Sequence, residues 1–305
     1  MLNYKGAEDT VVCLQSLEKI TYPNYYVVIV DNASPDDSIG LIANRLKSKR
    51  NDDVTFFDSP DKALQSFRPQ SKFTLLQTGY NGGYGYGNNI GIKYALKNGA
   101  DYVLVLNNDT VVDPGFLEPM VQMCEEDKNI GIASGKIYFY GKPDVIWFNG
   151  GRFHPCTAKV EHVNFNEKDT GQLPPDENTF ISGCMWLIPR QVIENVGFIT
   201  EEYFMYVEDL EFCQRVMDCG FSLKVCDQSL VWHKVGSTCG HWSSFSSYWM
   251  AKNKMKFIVN HLTGKCRLIA TVHHVLFVST RWLIHRRVDL FVSHLKGISH
   301  ARKKV

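Results

Sequence analysis

Two runs of aliphatic residues constrain this chain more than any other feature: Tyr26–Val30 and Tyr102–Leu106, each closing on an amide- and acid-rich loop. Continuous apolar runs of this length predict strands buried on both faces, which is the pattern of a parallel sheet covered by helices. The first stops at Asp31-Asn32-Ala33-Ser34 and the second at Asn107-Asn108-Asp109. Ligands of open parallel sheets bind beyond the carboxyl ends of the strands, so Asp31 and Asp109 stand where a ligand is expected.

The intervening segments agree. Apolar positions Cys13, Leu14, Leu17 and Ile20 predict a helix over Asp9–Ile20 with Asp9 as its cap. Helices are likewise expected over Asp36–Lys49, Gly87–Lys97 and Gly115–Glu126, with strands at Val54–Phe57 and Phe73–Gln77. Strand and helix alternating through short loops predict an α/β domain. Further on, Ile130–Tyr140, Thr179–Ile188 and Phe221–Val225 read as strands, and Asp209–Cys219 as a helix stopped by Gly220. Gly236–Tyr248, rich in Gly, Ser and aromatics, has the composition of a loop that closes over a site.

Charge divides the chain. Residues 250–305 hold twelve Lys/Arg against one acid, Asp289, while residues 1–249 hold twenty-one bases and thirty-one acids; the overall formal charge of +1 hides the split. A basic end on an acidic body predicts an anionic surface as its partner. No run reaches the roughly 18 to 20 apolar residues of a membrane span. The nine cysteines are odd in number, lack a C-x-x-C pair and follow no signal peptide, so no disulfide framework and a cytoplasmic setting are expected.

Four clusters carry candidate chemistry, each with a plain alternative. The run GYNGGYGYGNNIG at 79–91 lacks the spacing of either phosphate-loop motif, which leaves a glycine turn that feeds an anion to a helix N-terminus, or merely a tight turn. Asp109 at the mouth of the sheet suits a hard divalent cation sharing diphosphate oxygens, or a turn cap. Glu208-Asp209 opens a helix, where a carboxylate serves as a general base or as a cap. His233, in VWH, is either a second metal ligand or a structural histidine. Cys213, Cys219 and Cys226 have the wrong gaps for zinc, and Ser182-Gly183 lacks the hydrolase elbow.

Taken in order, the stretches LNYKGAEDTVVCLQSL, YPNYYVVIVDNASPDDS, GYNGGYGYGNNIGIKYAL, GADYVLVLNNDTVVDP, FISGCMWLIPRQVIENVGF, YFMYVEDLEFCQRVMDCGF and VWHKVGS resemble the inverting glycosyltransferases of family 2, in their rhamnosyltransferase-like and galactofuranosyltransferase-like bacterial branch. The resemblance implies a GT-A fold, a Rossmann-like nucleotide-binding sheet fused to an acceptor-binding half. It also implies a role for each matching residue. Asp31 would contact the nucleotide base beside Asn3 and Tyr4, with Asn81, Gly82 and Gly83 nearby. Asn107-Asn108-Asp109 would stand for the D-x-D-type motif, whose last acid, Asp109, would hold Mg2+ or Mn2+ together with His233. Asp209 would be the catalytic base, and Glu208 and Trp242 would face the acceptor.

The activity implied is transfer of a sugar from a UDP- or dTDP-linked donor, with rhamnose a candidate, to a hydroxyl of a glycan or polyprenyl-diphosphate-linked acceptor in bacterial surface polysaccharide synthesis. Residues 1–262 would form the transferase, divided near 130 into nucleotide-sugar and acceptor halves. Residues 263–305 would be a basic amphipathic extension, meeting the anionic inner face of the membrane through 265–305 or capping the domain. No nucleic acid partner is expected. Relatives begin with a full apolar strand, whereas here only Leu2-Asn3-Tyr4 precedes the first helix, so a truncated first strand is expected. That shortfall gives the competing expectation, a degenerate transferase acting as a nucleotide-binding or interaction module.

Overall fold

The computed structural model describes residues 1–49, 54–66, 71–235 and 243–301. The first half runs β1 (Leu2–Asn3), α1 (Ala7–Leu17), β2 (Val27–Asp31), α2 (Ser38–Lys49), β3 (Val54–Phe57), α3 (Pro60–Gln65), β4 (Phe73–Gln77) and α4 (Gly83–Lys97). These strands form one parallel sheet in the order β1-β2-β4-β3. Ile29, Phe73 and Leu75 are wholly buried, as their unbroken apolar runs require.

A second sheet is built from β5 (Tyr102–Leu106), β6 (Thr110–Val112), β7 (Ile130–Phe139), β8 (Lys142–Phe148), β11 (Met185–Pro189) and β12 (Ser222–His233), after a hairpin of β9 (Gly151–His154) and β10 (Lys159–His162). Its order is β5-β11-β7-β12-β6, with β8 beside β7. Only β12 and β7 pair in parallel; the other pairings are antiparallel. Helices α5 (Leu117–Glu126), α6 (Arg190–Val196) and α7 (Glu208–Asp218) cover it, and the aromatic core Phe116, Trp186 and Phe212 lies beneath them.

The two sheets meet at β1. Leu2 pairs with Val30 on one side and bridges Asn107 in parallel on the other. Past these two residues the seam opens into a cavity of about 380 Å³ between β2 and β5, lined by Met1, Val28, Val30, Leu104 and Leu106. The Met1 amine is enclosed there and donates to the Val28 carbonyl at 3.0 Å; burial lowers its pKa to about 6.

The chain ends in α8 (Ser244–His261), α9 (Gly264–Val272), a π-helical turn (His273–Phe277), α10 (Val278–Ile284) and α11 (Val288–Ala301). Among the described residues no helix is long and apolar enough to cross a membrane. Leu268 is 66% and Leu276 55% exposed, while the helical segments from α9 onward bury Ala270, His274, Ser279, Leu290 and His294.

Several expectations need correction. Asp9 caps nothing: α1 starts at Ala7 without a side-chain cap, and Asp9 pairs with Lys234 at 2.6 Å. Helix α4 begins at Gly83, so the glycine run forms its first turns rather than a loop ahead of it. Thr179–Cys184 is not strand; it turns and delivers Ser182-Gly183 to the site. β12 continues to His233 across an irregularity between Cys226 and Leu230. Cys156 and Cys266 are joined as a disulfide, tying the β9–β10 turn to α9, although no disulfide was expected. Of the loop expected over Gly236–Tyr248, Ser244–Tyr248 is instead the start of α8, capped by Ser243, and the part up to and including Trp242 lies outside the described residues.

Candidate active site

A cleft of about 760 Å³ runs along the carboxyl edge of the second sheet, within the range of small-molecule sites. The loop after β5 contributes Asn107, Asn108 and Asp109; the end of β12 contributes His233; the start of α7 contributes Glu208 and Asp209. Tyr4 completes that end.

His233 and Asp109 face each other, Nε2 to Oδ1 at 3.1 Å, both nearly buried. The edge of Trp147 packs on the imidazole, with ring centroids 4.6 Å apart. Burial opposes the imidazolium, but Cys184 and Asp109 outweigh it and push the His233 pKa up to about 10. His233 Nδ1 is a buried polar atom with no hydrogen-bond partner. One carboxylate and one imidazole form a partial set; no group of three His, Cys, Asp or Glu that could hold a metal exists among the described residues. Such a pair fits a divalent cation that takes its remaining oxygens from a diphosphate and water.

The acidic pair is placed by backbone strain. Phe204, Tyr206 and Val207 all have positive φ, and Val207, a β-branched residue, is the left-handed N-cap of α7. Asn253 of α8, wholly buried, donates its amide to the carbonyls of Tyr203, Met205 (2.8 Å) and Tyr206 (2.9 Å), and so fixes this segment. Asp209 receives the N–H of Leu210 at 2.9 Å and of Gly183 at 3.4 Å. The hydroxyl of Tyr84 donates to the Gly183 carbonyl from the other side. Glu208 Oε2 is buried with no hydrogen-bond partner. Burial and then the adjacent Asp209 raise the Glu208 pKa to about 8, and burial raises that of Asp209 as well.

The nucleotide-side residues divide. Tyr4, Asn107 and Asn108 line the cleft, but Asn3 and Asp31 are wholly buried behind it. Asp31 accepts from Asn3 Nδ2 (2.6 Å), from Ser34 Oγ (2.7 Å) and from the Ser34 N–H (2.9 Å). Asn108 Nδ2 joins this network through Thr10 at 2.9 Å. Asn81, Gly82 and Gly83 are not brought to the cleft. The N–H of Gly83 is taken by Asn81 Oδ1 at 3.0 Å and that of Tyr84 by the Phe204 carbonyl at 2.6 Å, so these two donors are not free for an anion. Gly83, at φ +90°, is there for a close approach: a Cβ would stand 2.2 Å from the Phe204 oxygen.

Sequence reasoning missed Tyr84, Cys184, Trp147 and Asn253. Tyr84 lay inside the glycine run, where the turn chemistry drew attention from the side chain; the others carry no local signal.

A model of glycosyl transferase family 2 matches residues 1–197, and one of glycosyl transferase family group 2 matches residues 102–297. Among solved structures, a mannosyltransferase from Pyrobaculum calidifontis in complex with GDP-Man and Mn2+ is similar at a TM-score of 0.57 and 12% identity, covering 100% of this chain and 74% of that one. The architecture is that of the GT-A glycosyltransferases, and the chain belongs to glycosyl transferase family 2. It is 25% identical over 208 residues to the low-salt glycan biosynthesis hexosyltransferase Agl10 of Haloferax volcanii, covering 65% of this chain and 64% of the relative. It is also 25% identical over 224 residues to the dTDP-rhamnosyl transferase RfbF of Shigella flexneri, covering 70% of each. The chain therefore spans just under two thirds of the Haloferax relative.

Proposed function

We propose that this chain is a metal-dependent, inverting glycosyltransferase that moves a sugar from a nucleotide-diphosphate sugar to a hydroxyl of a glycan or lipid-linked glycan acceptor in bacterial surface polysaccharide synthesis. The observation that carries the reading is one cleft holding the Asp109–His233 pair and the buried Glu208–Asp209 pair. A dTDP-sugar is the first donor to test, since one relative bears that name. Residues 1–262 act as the transferase and 263–305 as its basic extension, working at the cytoplasmic face of the membrane.

Asp109 and His233 would hold Mg2+ or Mn2+, which supplies charge neutralisation for a departing diphosphate. Asp209, with its carboxylate oriented by the Leu210 and Gly183 amides, accepts the proton of the acceptor hydroxyl. Its raised pKa makes it a stronger base than an exposed aspartate. Glu208, buried beside it, holds its proton up to about pH 8, so the acidic pair carries one negative charge rather than two. Attack opposite the leaving diphosphate inverts the anomeric centre. Asp31 and Asn3 act from behind the cleft wall, setting the position of Asn108 through Thr10.

The test is a thermal-shift panel of UDP, dTDP, GDP and CDP with Mn2+, Mg2+ or EDTA, followed by NMR of the product's anomeric configuration. One nucleotide that stabilises only with metal, at about 2.7 kcal/mol for 100 times its Kd, is the expected result. No metal-dependent shift with any nucleotide, or a product of retained configuration, sinks the reading.

A further inference from the structure

The cleft does not end at the acidic pair. Its far arm passes under the C-terminal helices and is lined by Lys159 of β10, Lys254 of α8, His273 and His274 of the π-helical turn, Arg281 of α10 and His294 of α11. The near arm carries Asp109, Glu208 and Asp209; burial lowers the pKa of His273, His274 and His294 and keeps them neutral, so the cations of the far arm are Lys159, Lys254 and Arg281. Neither Lys159 nor Lys254 forms an ion pair or hydrogen bond among the described residues. The acid of the C-terminal helices, Asp289, is taken up on the surface by Arg287 at 2.8 Å. Burial and the neighbouring Lys159 lower the Lys254 pKa to about 8, the behaviour of a cation enclosed with another cation and no carboxylate. His273 and His274 sit on a π-helical turn, an irregularity that often marks functional sites.

The outer surface of the same helices is apolar. Phe277 is 65% and Ile284 78% exposed, and Val288 lies beyond them, with Arg286 and Arg287 between. An apolar face studded with basic residues suits the headgroup boundary of an anionic bilayer.

We propose that the basic arm binds the diphosphate of a lipid-linked acceptor, with Lys254 and Lys159 as its principal cations and the hydrocarbon leaving along the exposed face of α10. This rests on the transferase reading and assigns the acceptor end of that cleft. Charge complementarity commits the occupant: a neutral glycan leaves the enclosed Lys254 ammonium and its neighbour Lys159, at the exposed edge of the arm, unanswered, whereas a diphosphate answers both. Because the base and the cations line one cleft, the saccharide between them is short.

The test titrates the full chain, by calorimetry in EDTA, with inorganic diphosphate and with geranyl diphosphate. EDTA removes any contribution from a metal at Asp109. The wild type is expected to bind geranyl diphosphate, and Lys254→Met and Lys159→Met each to weaken it at least tenfold, while Lys254→Arg largely restores it. Lys159 is exposed, so its variant folds even if Lys254→Met does not. Dissociation constants unchanged in both variants, or no binding by the wild type, overturn the proposal. Inorganic diphosphate binding as tightly as geranyl diphosphate overturns the lipid assignment. A parallel titration of nucleotides with Mn2+ keeps the two readings apart: its failure alone counts against the transferase, not against this anion site.

Discussion

The amide of Asn253 donates to the carbonyl of Tyr206, 2.9 Å away, and so a residue in the middle of α8 holds the turn that launches Glu208 and Asp209. Three positive-φ residues are kept in place by this one side chain, which reaches three carbonyls at once. Replacing Asn253 with Ala removes the side-chain donor from all three carbonyls and leaves Tyr203 only its bond from the Met205 N–H. Loss of about 2–4 kcal/mol of stability is expected, with a fall in kcat larger than any change in donor KM. Unchanged kcat in a folded variant would show that the turn holds itself.

Asp209→Asn keeps the shape of the site and removes the proton acceptor. Transfer should fall by about 10²–10⁴-fold, while metal-dependent nucleotide binding, followed by thermal shift, stays near wild type. Turnover at the wild-type rate would remove Asp209 as the base.

At the other end, Asp109→Ala should abolish the difference between Mn2+ and EDTA in nucleotide binding, because only His233 is left of the pair. Equal nucleotide affinity with and without chelator in wild type and variant alike would refute a metal role for Asp109.

Glu208 links stability to pH. Its folded pKa of about 8 exceeds the ordinary value of 4.5, so between these values the folded chain holds a proton that the unfolded chain has lost. Stability from this group is therefore full below about pH 4.5 and falls as pH rises through 8. Glu208→Gln should match wild type at pH 5 and exceed it by a few kcal/mol at pH 9. Parallel Tm profiles for the two proteins would show that Glu208 ionises freely in the folded state.

How much of this was legible depends on where each residue's constraint lies. The strands at Val27–Asp31 and Tyr102–Leu106 were readable because burial on both faces writes itself into consecutive residues. Glu208 and Asp209 were readable because a helix start favours acids locally. The pairing of His233 with Asp109 was suggested by resemblance alone, since strand register brings them together and no local pattern encodes it. Asn253 and Lys254 were invisible for the same reason: each looks like an ordinary helix residue, and its meaning comes from what packs against it. The glycine run misled because its spacing spoke of turns, while Gly83 is small to let Phe204 approach.

The two sheets share β1 as their join, and the pairing across it amounts to Leu2 and Asn3 on one flank and a single bridge to Asn107 on the other. Asp31 ends β2 in the first sheet, and Asp109 follows β5 just past that bridge. Because that backbone join is so thin, it is the shared core, running from Ile29 and Leu75 to Val105 and Ile132, that holds the two sheets as one body. A ligand that reaches from Tyr4 to Asp109 would lie directly across the join.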